Sequence, residues 1–153
     1  MYPEILSEIT LKYVSLKKPS LAFVSEMVMK QPYQTAIQNI ARQFNIEETT
    51  EINYDVAFFY YLVKGEWKWE LALSMIGKYA LLSRLSKTSK RSPLTTDSSD
   101  LTEDEINLIE ILSHEGFKFI DKVSLEMHVD LNLPNSTETH LYQALFTNQE
   151  LPW

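Results

Sequence analysis

The chain has no cysteine. It therefore has no disulfide framework, no thiolate nucleophile and no zinc–sulfur site. Glycine is almost as scarce, with Gly65, Gly77 and Gly116 each standing alone. A phosphate-cradling loop needs several glycines close together so that backbone amides can approach the ligand, so P-loop and dinucleotide-binding motifs are excluded. No Gly-x-Ser-x-Gly turn occurs either, which removes the usual serine-hydrolase elbow. Long hydrophobic runs are also missing. The longest, Val56 to Val63, has eight residues, less than half of the about 20 that a membrane-spanning helix needs.

Basic residues are the last scarcity, and they are scarce in one place. Residues 1–86 balance nine acids with nine Lys and Arg, whereas residues 92–153 hold twelve acids against Lys118 and Lys122 alone. The C-terminal part thus carries a net charge of −10 within a chain whose total is −7. Such a local field repels nucleic acid and anionic membranes and attracts basic partners. The plainer reading of the same residues is solubility, together with the preference of acids for helix N-termini. Arg84, Lys87, Lys90 and Arg91 form the only basic cluster. No aromatic residue interleaves it and a strongly acidic segment follows, so it reads as a solvated linker rather than a phosphate site. The first eight residues carry two acids before any lysine, unlike a secretory leader, and a cytoplasmic location is the expectation.

What is present suits a globular protein: 44% apolar and 12% aromatic residues over 153 positions, read as a single domain. The clearest pattern is Trp67-Lys68-Trp69-Glu70-Leu71-Ala72-Leu73-Ser74-Met75. Large apolar side chains fill its odd positions, which is the period of a strand with one buried face. It follows the run 56–63 across Lys64-Gly65-Glu66, so the two read as a hairpin of strands at about 53–63 and 66–76. Residues 78–85 would close a three-stranded antiparallel meander. The outer two strands lack alternation and are expected to be covered on both faces. The competing reading is one or two buried helices over 55–85, which would make the chain all-α.

Elsewhere the pattern is helical. Ile5, Leu6, Ile9, Tyr13 and Leu16 share one face of a first helix, closed by Lys17-Lys18-Pro19. Ser20 caps a second helix to about Lys30, with Phe23, Val24, Met27 and Val28 inward, and Gln31-Pro32 breaks it. A third runs from Tyr33 to Phe44, and Glu47 to Glu51 is a polar link into the sheet. Residues 87–100, nearly without apolar groups, are expected to form a mobile linker between a neutral lobe (1–86) and an acidic helical third (101–153). Thr102-Glu103-Asp104-Glu105 is a capping box that opens a helix over about 103–115. Trp153 is expected to dock on the domain.

Possible sites are few. Of the three histidines, only His114 has a carboxylate, Glu110, at a same-face helical spacing. That pair suits a surface hydrogen bond as well as a metal. A calcium loop counted from Asp97 places Thr102 at its sixth position and Leu108 at its twelfth, so the EF-hand pattern fails. No cofactor or metal is implied. An enzyme with dispersed residues would have to use groups such as Tyr60, Glu70 and Arg84, which no spacing supports. The reading that fits best is a non-enzymatic interaction protein of inhibitor, immunity or adaptor type. It would meet a basic protein partner through Asp97, Asp100, Glu103, Asp104 and Glu110, with Glu105 on the same helix start. Trp67 and Trp69 are the alternative aromatic anchors. The other class is a regulatory or small-molecule-binding domain with a pocket between sheet and helices. Nothing in the sequence sets the oligomeric state.

The linker reading has a direct check. Limited trypsin digestion should cut first after Lys87, Lys90 or Arg91 and leave two fragments that stay associated. First cleavage after Lys30 or Lys64 would overturn it.

Overall fold

Proline and left-handed residues divide the N-terminal third into three short helices. The computed structural model describes residues 2–85, 91–134 and 138–153. In it α1 (Tyr2–Tyr13) ends at Val14 with φ 68, and α2 (Ala22–Lys30) ends at Gln31 with φ 45, just before Pro32. The third helix is α3 (Gln34–Ala41). A sheet follows, built from β1 (Asn45–Glu48), β2 (Ala57–Lys64), β3 (Trp67–Ser74), β4 (Tyr79–Arg84) and β5 (Pro93–Leu94). The C-terminal third adds α4 (Glu103–His114), β6 (Lys118–Phe119), α5 (Lys122–Leu125) and α6 (Leu141–Leu145). The class is α+β, with a mixed sheet. Among the described residues no helix is long and apolar enough to cross a membrane.

The central hairpin pairs without a break, from Ala57 opposite Ser74 to Lys64 opposite Trp67. Gly65, at φ +61, supplies the left-handed residue that a two-residue hairpin turn requires. The register puts Phe58, Tyr60 and Leu62 on one face with Leu73, Leu71 and Trp69. The N-terminal helices cover that face: Tyr33 packs edge-on against Phe58 at 5.8 Å, and Phe44 against Trp69 at 5.5 Å. On the opposite face the Ser74 hydroxyl donates to the Leu145 carbonyl, at 2.7 Å, so the C-terminal segment lies there. Cover on both faces is why β2 and β4 are apolar almost throughout.

The sheet is wider than the meander the sequence predicts. Part of the polar link is β1, which pairs along β2 from Asn45 opposite Val63 to Glu48 opposite Tyr60. Strand pairing satisfies the open backbone edge of β2 and needs no apolar side chain. Exposed Glu47 and Glu48 then protect the new edge against further pairing. Beyond β4 lie two two-residue strands: β5 antiparallel at Leu82 and Ser83, and β6 parallel at Tyr79 and Ala80. Of the segment 87–100, residues 87–90 lie outside the described residues. Its Pro93–Leu94 pair is buried as β5, a contact that the linker reading left out. Trp153 docks as expected, edge-on against Tyr142 at 5.6 Å, with its indole N–H donating to Glu126 at 2.7 Å.

One ionised group joins α4 to the sheet. The capping box at Thr102 forms, and it aims Glu105 inward, where the residue is 0% exposed. Its Oε2 accepts from the Trp69 indole at 2.8 Å and from Arg84 Nε at 2.7 Å, and its Oε1 from Arg84 Nη2 at 2.5 Å and the Thr102 amide at 2.9 Å. Burial alone would raise this carboxyl, but those donors outweigh it and hold the pKa at about 2. A pKa depressed in the folded state stabilises the fold above the ordinary value of 4.5, and the contribution fades as the pH falls from there toward 2. Glu105→Gln should therefore cost about 2–3 kcal/mol near neutral pH, and the gap from wild type in urea unfolding should shrink steadily below pH 4.5. A gap that does not change with pH would refute the ionic role of Glu105.

Candidate functional site: an apolar groove beside helix α2

Helix α2 carries more apolar surface than the core can take. Phe23 and Val24 turn inward and are buried, with Met27 and Val28 packed partly against the core, while Leu21 just before the helix and Met29 stay exposed. Met29 stays 87% exposed. Across from it the turn 52–56 leaves Ile52 66% exposed, with Tyr54 partly so. Between these two walls runs a groove of about 540 Å³, within the usual range of small-molecule sites. Leu133, Pro134 and Asn148 close its third side, and Tyr13, Asp55 and Gln143 line it as well.

Hydrogen bonds hold these walls in place. The Tyr13 hydroxyl donates to the Ala144 carbonyl at 2.8 Å, tying α1 to α6, and burial drives its pKa up. The Asn148 side chain donates to the Pro134 carbonyl at 2.8 Å, and its backbone amide to the Tyr54 carbonyl at 2.8 Å. Gln143 accepts from the His140 amide at 2.7 Å and donates to the Gln149 carbonyl at 3.0 Å. Asp55 closes its own turn: its Oδ2 accepts from the Glu51 amide at 2.7 Å, and its backbone N–H returns a bond to the Glu51 carbonyl at 2.8 Å. Its Oδ1 accepts from the Thr147 hydroxyl at 2.7 Å. Asp55 is only 6% exposed. Burial raises its carboxyl above the usual range, against the pull of Thr147 and the Glu51 amide.

Tyr54 and Asp55 also line a smaller cleft of about 240 Å³. There Glu70 accepts from Arg91 at 2.7 Å, and burial outweighs that pairing to raise the Glu70 carboxyl. Tyr142 and Thr147 border the same cleft. Among the described residues no three His, Asp or Glu side chains converge as a metal ion would need.

The fold distributes the acidic residues singled out by sequence among different tasks. Glu105 is the buried anchor described above. Asp104 binds Lys64 at 2.8 Å, and Asp100 lies 3.5 Å from Arg84. Asp97, Glu103 and Glu110 are exposed, with no cation within 4 Å among the described residues. The two tryptophans also separate. Trp69 is fully buried and cannot anchor a partner, because its indole is committed to Glu105 and its ring to Phe44. Trp67 is 45% exposed, but the Arg84 guanidinium lies over its ring at 5.4 Å. Tyr60 and Arg84 share one sheet face and Glu70 is on the other, so these three do not meet.

No sequence motif marked the groove. The available signal was Met29, which falls off the stripe formed on α2 by Phe23, Val24, Met27 and Val28. The far wall comes from positions 52–56, 133–134 and 148, which only folding brings together. No family model matches the chain, and no curated protein or solved structure is significantly similar to it.

Proposed function

We propose that this protein is a non-catalytic binding protein whose groove beside α2 receives the apolar part of a small molecule. One observation carries the reading: a concave, mainly apolar groove of about 540 Å³ whose rim exposes Met29, Ile52, Leu21 and Tyr54 to water. Large apolar side chains gathered around a concavity mark ligand or partner sites more often than chance surface exposure does. The network from Asp55, Asn148 and Tyr13 fixes the groove walls without a ligand, so little ordering entropy opposes binding. Convergent catalytic groups are not part of this reading.

A second reading keeps the acidic surface as the contact with a basic protein partner. It is supported by Asp97, Glu103 and Glu110, which are exposed near and along α4 with no cation within 4 Å among the described residues. Asp104 contributes less to it, since Lys64 pairs with it at 2.8 Å, and Asp100 is exposed but lies 3.5 Å from Arg84, whose charge it shares with Glu105.

The two readings give separate tests. The uncharged hydrophobic dye N-phenyl-1-naphthylamine should bind the groove, and Ser25→Trp, which fills it from an exposed position on α2, should weaken that binding by at least about tenfold with an unchanged circular dichroism spectrum. Dye binding that is indifferent to Ser25→Trp would refute the groove reading. For the acidic surface, a partner recovered by pull-down should associate more slowly with the amide variants of Asp97, Glu103 and Glu110, and more slowly in high salt. Association insensitive to both would remove that surface from consideration.

A further inference from the structure

We propose that the molecule taken up by the groove is an amphiphilic amine, its apolar body lying along α2 and its ammonium paired with the carboxylate of Asp55. This deepens the groove reading and rests on it.

The argument begins with the charges around the groove. Asp55 lines it, and no lysine or arginine does. Among the described residues no cation stands within 4 Å of Asp55. Of the other carboxylates, buried Glu105 has Arg84 and half-buried Glu70 has Arg91, while Glu8, whose Oε2 is also buried, has no cation within 4 Å among the described residues. Removing an ion from water without a counter-ion is costly, and a ligand cation would offset that cost here.

The hydrogen bonds of Asp55 do not explain why it is an acid. Its two protein donors are the Glu51 amide and the Thr147 hydroxyl. A hydroxyl can rotate to accept instead of donate, so an asparagine amide would serve the same two partners. The charge is surplus to the turn. An ammonium brings three donors and no acceptor, and the neutral polar side chains along the groove, Ser25, Asn53 and Asn148, offer oxygens for the remaining N–H groups. An anionic headgroup would meet Asp55 and find no positive side chain. A neutral headgroup would leave the carboxylate uncompensated.

The experiment compares octylamine, octanol and octanoate as competitors for the same uncharged dye near neutral pH, with wild-type protein and Asp55→Asn. A charge-assisted contact predicts that octylamine displaces the dye at least about tenfold more tightly than octanol, and that octanoate is the weakest of the three. Asp55→Asn should abolish the difference between octylamine and octanol. Equal binding of octylamine and octanol to wild type, or preferred binding of octanoate, would overturn the amine while leaving the groove reading in place. Failure of all three to displace the dye would overturn both. The wild-type comparison decides the matter even if the variant does not fold.

Discussion

The carboxylate of Glu105 is the contact on which the rest of the architecture leans. Four donors from three places converge on it: the cap of its own helix, the indole of Trp69 in β3, and the guanidinium of Arg84 in β4. A buried charge is unfavourable in itself and becomes acceptable only when its lone pairs are filled. That requirement makes the pairing directional. It fixes the rotation of α4 and its position over the sheet in a way that contact among Leu, Ile and Phe side chains, which tolerate sliding, does not.

The C-terminal segment has a comparable role on the other face. The Tyr13 hydroxyl reaches Ala144, the Ser74 hydroxyl reaches Leu145, and Thr147 reaches Asp55. Three separate elements are thus stitched to one short stretch around α6. The groove lies where this stitching meets α2, and its shape follows from it. Three carboxyls show how local donors decide protonation. Glu105 is drawn down despite burial, while Asp55 and Glu70, with fewer donors, are pushed up by it.

The acidic character of the chain is also smaller in space than along the sequence. Residues 92–153 carry a net −10, yet Glu105, Asp104 and Asp100 are held by Arg84 and Lys64, both of which precede that segment. The neutral half of the sequence thus supplies the counter-ions for the acidic half. Such pairs fasten the two halves of the chain together while reducing the field available for steering a partner.

Local rules determined much of this protein from sequence alone. Alternation at 67–75 marked β3, because side chains in a strand point to opposite faces by geometry, and Gly65 marked its turn. The capping box at Thr102 was legible for the same reason, since its partners lie three residues apart. Tertiary structure decided everything that depends on distant partners. β1 and β5 formed because an open strand edge takes whatever backbone is near, a rule that leaves little trace in composition. Glu105 was read as surface because nothing in its neighbourhood along the chain announces Arg84 and Trp69. The groove stayed hidden because its walls come from segments as far apart as Tyr13 and Asn148, and concavity is a property of their packing rather than of any one of them.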